Sequence, residues 1–304
     1  MPRRTFHFVR YGRLAVGLSG LLLAVSLASF VINGFNLGID FAGGTLLERR
    51  FAQPVTAQQV REALASEMTG DVDLGGLVIQ PLDDPMEVLI RTRPLDREEL
   101  QAVDQRLAAA FGDVEAVRTE LVGPVVGAEL VRRALWAVVL AAVGVLGYVW
   151  FRFELKFAVS AIAAVMHDAV VAVGVVSLLG IEVNSPLIAA VLTVVGYSIN
   201  NTIVIFDRVR ENLRTRKNED LAALVNRSLN ETLARTINTS LTTLLVIMTL
   251  LVFGGVTLRD FVLVLLVGVV VGTYSSIFLA SSLWLRWKER EERLRASAGI
   301  VPGR

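Results

Sequence analysis

Six apolar runs dominate this sequence and limit what the chain can fold into. Each is long enough to cross the roughly 30 Å hydrocarbon core of a bilayer as a helix of about 20 residues. Of the 304 residues, 54% are hydrophobic and 19% are charged. A soluble domain of this length does not require so large an apolar fraction, so the composition favours several membrane spans. The sequence therefore predicts an α-helical membrane protein with six spans, at about residues 14–32, 133–151, 157–180, 186–206, 236–253 and 260–284.

The first run follows several arginines, as the apolar part of a signal peptide does. These arginines are Arg3, Arg4, Arg10 and Arg13. No clear small-residue cleavage site follows the run, and five further runs come after it. A cleaved signal peptide and a retained anchor both fit such a start, and we expect the retained anchor.

Basic residues are concentrated in alternate connections between the runs. They lie in the N-terminus, at Arg152 and Lys156, in the 207–235 segment and in the C-terminal tail, whereas Glu182 and Arg259 are the charges of the opposite short connections. The positive-inside rule then predicts that both termini are cytoplasmic. The predicted organisation is a cytoplasmic N-terminus with the first span at 1–32, an extracytoplasmic domain at 33–131, a five-span bundle at 132–287 with a cytoplasmic loop at 207–234, and a basic cytoplasmic tail at 288–304.

The 33–131 segment has the patterns of a small α+β domain. Strand patterns occur at 45–51, 76–80, 86–92 and 114–121, and helical patterns at 56–68 and 96–112. Asp96 is the expected N-cap of the second helix and Gly112 its expected stop. The order β-α-β-β-α-β predicts a ferredoxin-like unit. Because the segment contains no nucleophile–base pair and no ligand cluster, we expect it to act in binding or as a lever.

The composition argues against several classes of function. There are no cysteines, so disulfides and thiolate metal sites do not form, and two histidines, His7 and His167, make a catalytic zinc site improbable. None of the lysines follows a glycine, so the GxxxxGK[ST] nucleotide loop is absent. The net charge of +1 gives no indication of nucleic-acid binding. We therefore expect neither an enzyme nor a protein with a metal or an organic cofactor.

Polar side chains inside the apolar runs are the candidate functional residues, because such groups are costly in hydrocarbon. They are His167 and Asp168 in the third run, Ser198, Asn200 and Asn201 in the fourth, and Arg235, Asn238, Thr239 and Thr242 at the start of the fifth. The spacing of those in the fourth and fifth runs predicts a polar track between these two spans. Each also has a structural interpretation: the asparagines hydrogen-bond between helices, Arg235 reaches the headgroups, and His167 pairs with Asp168.

Small residues recur every fourth position along the last run, at Gly268, Gly272 and Ser276. Such a ridge lets another helix approach closely. Two interpretations remain open from the sequence, namely packing within this bundle and a seam with a separate membrane subunit.

Six blocks of this sequence resemble the SecF family, whose members are subunits of the bacterial SecD–SecF protein-export complex in the resistance–nodulation–division superfamily. The blocks are "FNLGIDFAGGT" (35–45), "VGPVVGAELVRRAL" (122–135), "AAVMHDAVV" (163–171), "GYSINNTIVIFDRVREN" (196–212), "LARTINTSLTT" (233–243) and "GVVVGTYSSIFLASSL" (268–283). The resemblance implies half of such a transporter, which assists the Sec translocon channel. It implies a six-span SecD-like partner and use of the proton gradient to draw unfolded polypeptide across the membrane.

The resemblance also implies a proton path through an aspartate of the fourth span and an arginine of the fifth. Arg235 matches the arginine, but Asn201 stands where the family pattern has the aspartate. A carboxamide does not titrate, so Asn201 cannot exchange a proton as a carboxyl group does. The sequence leaves open a transport-dead variant, a shifted proton site and a purely structural subunit.

Two other functions compete with the export subunit. One is half of a small-molecule or lipid exporter of the same superfamily, which is disfavoured because such exporters carry two large extracytoplasmic insertions on twelve spans. The other is a structural partner that stabilises the translocon without proton coupling, and Asn201 is the feature that favours it.

Overall fold

The structure is a computed structural model and describes residues 6–65, 76–152, 154–216 and 219–297. Arg3, Arg4, residues 66–68 of the first predicted domain helix, Lys217 and residues 298–304 of the predicted tail lie outside these ranges. The helices, in chain order, are α1 (Gly12–Ile32), α2 (Ile39–Ala42), α3 (Ala57–Ala65), α4 (Arg97–Phe111), α5 (Pro124–Arg152), α6 (Leu155–Leu179), α7 (Ser185–Arg214), α8 (Leu221–Phe253), α9 (Val256–Tyr274) and α10 (Ser281–Ser297). The strands are β1 (Asn36–Leu37), β2 (Gly44–Phe51), β3 (Val78–Pro81), β4 (Glu87–Thr92), β5 (Val114–Val122) and β6 (Glu182–Val183).

Six of the described helical segments are long and apolar enough to cross a membrane, and each covers one of the predicted spans, the third of them except for Gly180. A six-residue π-helix, Ser275–Ala280, joins α9 to α10 and makes one continuous segment, Val256–Arg295. Several helices run well beyond their apolar runs. The predicted loop at 207–234 is mostly helical, because α7 ends at Arg214 and α8 begins at Leu221.

The α+β domain has the predicted ferredoxin-like order. Its strands form an antiparallel sheet in the order β3-β4-β2-β5, and α3 and α4 pack on one face of it. Alternate residues of β4 point into this core, so that Val88 and Ile90 are buried. Asp96 caps α4 in a reciprocal capping box with Glu99, as the sequence predicts. A hydrogen bond from Arg93 holds the pKa of the Glu99 carboxyl below its usual value.

A pair of glycines, Gly43 and Gly44, forms the turn from α2 into β2. Gly43 has φ +76° and Gly44 has φ +153°, a region that side chains with a Cβ rarely adopt. A Cβ on Gly44 would also lie 2.7 Å from the carbonyl oxygen of Thr92 on the neighbouring strand. Two glycines are therefore needed where the chain leaves the bundle and enters the sheet.

The domain and the bundle meet at the connection between α6 and α7. Strand β1 pairs in parallel with β6, and Arg91 on β4 forms an ion pair with Glu182 on β6. Burial lowers the pKa of the Arg91 guanidinium, and the nearby Asp260 partly offsets this effect. The predicted domain boundary at residue 131 falls inside α5, which begins at Pro124.

The glycine ridge of the last span packs against α7 of this same chain. A Cβ on Gly268 would lie 2.1 Å from a methyl of Val194, and one on Gly272 would lie 3.2 Å from the Cβ of Ser198. Ser276 continues the ridge and donates to the carbonyl oxygen of Gly272. Of the two interpretations that the sequence leaves open, the structure shows packing within the bundle.

Candidate functional site: a buried polar centre between α6, α7 and the π-helix

Asp168 lies on the inward face of α6 and is fully buried, with 0% of its surface exposed. Its neighbours on that face, one helical turn away on either side, are Ala164, Val165 and Ala172, which are also buried. The apolar periodicity of α6 therefore directs the side chain into the interior of the bundle, away from lipid. An ionisable group in that position is a functional candidate by default.

Three side chains surround the Asp168 carboxyl group. Ser198 of α7 and Ser275 of the π-helix both donate to its Oδ2 atom, the latter at 2.6 Å. His167 places its Nδ1 atom 2.9 Å from Oδ1. The carboxyl group thus connects three helices at one point, with His167 as the titratable group hydrogen-bonded to it.

The surroundings of His167 distinguish its two neutral tautomers. Its Nε2 atom is buried and has no hydrogen-bond partner among the described residues. A proton on Nδ1 can be donated to Asp168, whereas a proton on Nε2 would be a buried donor without an acceptor, which costs about 1–3 kcal/mol. Of the two neutral tautomers, the one with its proton on Nδ1 is therefore favoured.

The π-helix brings two serines to this centre. Ser275 reaches Asp168, and the hydroxyl of Ser276 lies 2.9 Å from that of Thr202 on α7. A π-helical turn inserts one residue into the α-helical repeat, and such insertions occur frequently at functional sites. Here it places consecutive serines against two different partners.

Asn201 lies beside this centre, on the side of α7 that faces α8. It is 3% exposed, and its Nδ2 atom has no hydrogen-bond partner in the described part of the chain. One turn away on α7, Tyr197 donates to Ser240 of α8 at 3.1 Å. Because α7 and α8 are antiparallel, the same register places Asn201 opposite Thr236, whose Oγ1 is also buried and without a partner among those residues.

The other predicted residues lie outside the buried centre. Asn200, Arg235, Asn238 and Thr242 are exposed on the surface of this chain, and Thr239 is half-buried. The hydroxyls of Thr239 and Thr242 donate to backbone carbonyls of α8 itself. The predicted polar track between the fourth and fifth spans is therefore divided into a buried part and an outer face.

Arg235 lies in a groove at the end of the bundle opposite the α+β domain. The groove has a volume of about 740 Å³ and is also lined by Val204, Asp207 and Thr232. The guanidinium of Arg235 forms no hydrogen bond or ion pair with the described residues, and none joins it to Asn201.

Two models of known protein families match parts of this chain. A family model described as "Protein export membrane protein SecD/SecF, C-terminal" matches residues 102–290. A second model, "SecD/SecF GG Motif", matches residues 28–55, which include the Gly43–Gly44 turn.

Individual relatives match over most of this chain. The protein translocase subunit SecF of Desulfurispirillum indicum is 40% identical over 95% of this chain and 94% of its own length. The protein translocase subunit SecDF of Thermus thermophilus is 42% identical over 96% of this chain, but the match spans 40% of that longer protein. The crystal structure of SecDF from the same organism, described as a translocon-associated membrane protein, matches with a TM-score of 0.86 and 41% identity over 95% of this chain and 39% of that one.

Proposed function

Because the chain belongs to the SecD/SecF protein-export family and matches its SecF members over nearly its full length, we propose that it uses the proton gradient to promote polypeptide export. It is a multi-pass inner-membrane subunit of the Sec protein translocase. The observation that carries the proposal is this near-complete correspondence with SecF, together with an ionisable side chain buried between its spans. The subunit would act without catalysing a reaction of its own.

A SecD-like six-span subunit is the proposed partner. The chain spans about 40% of the SecDF proteins that it matches, and the rest of such a protein would correspond to the proposed partner. The outer face of α7 and α8 carries Asn200, Arg235, Asn238 and Thr242 as exposed side chains. Polar side chains are costly against lipid, and a membrane partner that covers this face would remove that cost. The exposed polar side chains therefore support the proposal of a partner.

The proposed orientation has both termini in the cytoplasm and the α+β domain outside. Arginines are concentrated at the helix ends remote from the domain, at Arg152, Arg208, Arg210, Arg214 and Arg286. The domain would then contact the translocating unfolded polypeptide or the partner's domain, on the side where the polypeptide leaves the Sec translocon channel.

A second candidate function is a structural subunit that stabilises the translocon without proton coupling. Asn201 favours it, because a carboxamide at the position of the family aspartate cannot exchange a proton. The two functions predict opposite responses to the gradient.

Export into vesicles that contain the translocon, a SecD-like partner and this chain distinguishes them. We expect the chain to stimulate export when a proton gradient is present and to lose that stimulation when an ionophore collapses it. Equal stimulation with and without the gradient would favour the structural subunit, and no stimulation at all would contradict both functions. Vesicles with the partner but without this chain are the control.

A further inference from the structure

We propose that Asp168 is the proton-exchanging group of this chain, and that Ser198 and Ser275 transmit its change of charge to the packing of α7 and of the π-helix. The inference rests on the proposed function and assigns a site to it. It does not require position 201 to titrate, and so it is compatible with the carboxamide found there.

The Asp168 carboxyl group is surrounded by hydroxyls and one imidazole. α1 has no ionisable side chain between residues 14 and 32, α7 and the π-helix present serines to Asp168, and His167 contacts it from α6 itself. No cation from another helix pairs with Asp168 among the described residues. A charge held in the bundle by hydroxyls and an imidazole of its own helix can be neutralised by a proton without breaking a salt bridge to another helix.

The hydrogen bonds around Asp168 have two arrangements. The single hydroxyl proton of Ser275 has two acceptors, Oδ2 of Asp168 at 2.6 Å and the carbonyl oxygen of Gly272 at 3.2 Å. Ionised Asp168 accepts from both Ser198 and Ser275, since a carboxylate is an acceptor only. When a proton binds to Oδ2, that atom becomes a donor, and Ser275 turns to the Gly272 carbonyl. One proton is bound and later released, and no electron moves.

This change of hydrogen-bond partner occurs where α9 and the π-helix pack against α7. Ser275 is the first residue of the π-helix, and Gly272 lies in contact with Ser198 across the interface between α9 and α7. A change of hydrogen-bond partner at Ser275 therefore acts on the closest approach between the two helices. Ser276 and Thr202, which contact each other one residue further along, extend the effect along the same interface.

The test compares four variants with the parent chain in the complete complex with translocon and partner. Asp168→Asn removes the titrating group at nearly constant volume, and Ser198→Ala and Ser275→Ala each remove one donor to its charged form. Ser160→Ala is the matched control, because Ser160 is a buried hydroxyl on α6 whose oxygen has no hydrogen-bond partner among the described residues. Recovery of partner and elution profile are measured for each, so that misfolded variants are recognised.

We expect Asp168→Asn to lose the gradient-dependent part of export and the Ser160→Ala variant to keep it. The two other serine variants should retain stimulation, but with its pH midpoint moved upward by about one unit, because the carboxylate accepts from both hydroxyls whereas the protonated group needs only one of them as a partner. A structural role for these serines would lower export without moving the midpoint. Full gradient dependence in Asp168→Asn, or unmoved midpoints in both serine variants, would overturn the proposal.

A measurement on the purified chain tests the site apart from export. Infrared difference spectra between high and low pH should show a carboxylic-acid C=O band that is present in the parent and absent in Asp168→Asn. If the parent chain shows this band but no gradient-dependent export, the proposed function fails while the titrating site stands. If export depends on the gradient but the band persists in Asp168→Asn, the proton binds elsewhere and the present inference fails.

Discussion

The carboxylate of Asp83 accepts a hydrogen bond of 2.7 Å from the backbone N–H of Val256, the first residue of α9. Asp83 lies in the turn between β3 and β4 of the α+β domain, so the domain itself caps a membrane helix. Asp40, beside the Gly43–Gly44 turn, does the same for α7 by accepting from the N–H of Ser185 at 2.8 Å. The two capped helices carry Ser198 and lead into Ser275, the donors to Asp168. The domain is thus connected through two helix N-termini to the buried polar centre.

Replacing Asp83 with Ala should loosen the domain from the bundle. The variant loses the side-chain acceptor for a helix N-terminus and a favourable charge near the helix dipole, which together contribute about 0.5–2 kcal/mol. We expect faster amide exchange at Val256 and in the first turn of α9, measured by hydrogen exchange and mass spectrometry on the full chain in detergent.

Asp84→Ala is the matched control for this prediction. Asp84 accepts from the N–H of Met86 within its own turn and forms no hydrogen bond or ion pair with α9 among the described residues. Its loss should affect exchange in the β3–β4 turn but not in α9. Equal exchange in α9 for the parent and the Asp83→Ala variant would show that the cap does not hold the domain.

A methyl group at Gly268 should destabilise the bundle of this chain before any partner binds. Its Cβ would overlap the methyls of Val194, and such overpacking typically costs about 1–3 kcal/mol. We expect Gly268→Ala to lower the unfolding temperature of the isolated chain in detergent. The control is Gly20→Ala on α1, where nothing lies within 4 Å of the added carbon. An unchanged unfolding temperature for the first variant would mean that α7 and α9 are packed less closely than described.

The buried Arg49 should be the main polar support of the α+β domain. It is 1% exposed and bonds Asp104 of α4 at 2.8 Å and the carbonyl of Arg118 on β5 at 2.9 Å. Arg49→Ala should destabilise the domain by about 2–4 kcal/mol, through the cavity and the lost hydrogen bonds.

The neighbouring Arg50 gives the control for Arg49. Its side chain is half exposed and pairs with Glu87 at the surface, where ion pairs contribute about 0–1 kcal/mol. The free energy of unfolding of the domain is measured for both variants by urea unfolding of the full chain, with hydrogen exchange of the β2 and β5 amides as the readout. Similar losses for both would contradict a dominant role for the buried guanidinium.

The sequence predicted the fold because its strongest signals are local. Apolar runs give the spans, and alternation in β4 with the Asp96 cap of α4 gives the order of the domain. The N-terminal parts of α5 and α8 were missed because hydropathy does not detect an amphipathic extension of a membrane-spanning helix. Leu221, Leu224 and Val225 are buried at the start of α8 although polar residues separate them from the apolar run.

The buried centre was only partly predictable, since it depends on which helix faces meet. Asp168 and Ser198 stand out as polar residues in apolar runs, but nothing in the sequence shows that they lie on facing surfaces. Ser275 was not singled out, because a π-helical turn leaves no clear local signal and changes the direction of every later side chain. Two adjacent serines within the 268–283 block were the one available indication.

The last prediction concerns Asn201 and Arg235. In an Asn201→Asp variant the new carboxylate would be buried opposite Thr236, where an unpaired charge costs about 2.5–3.5 kcal/mol at the centre of a span. Arg235 precedes Thr236 on α8, and its guanidinium is exposed and makes no ion pair with the described residues, so it can turn towards position 201 and offset this cost. We therefore expect Arg235→Ala to be much more destabilising in the Asn201→Asp background than in the parent, with a coupling of about 1–3 kcal/mol. Unfolding temperatures of the four chains at about pH 8 measure the coupling, which should shrink at about pH 4 or below as the carboxyl group is protonated. Arg259→Ala, at the opposite end of the bundle, is the control cation, and additive effects of the two substitutions at both pH values would show that Arg235 does not reach position 201.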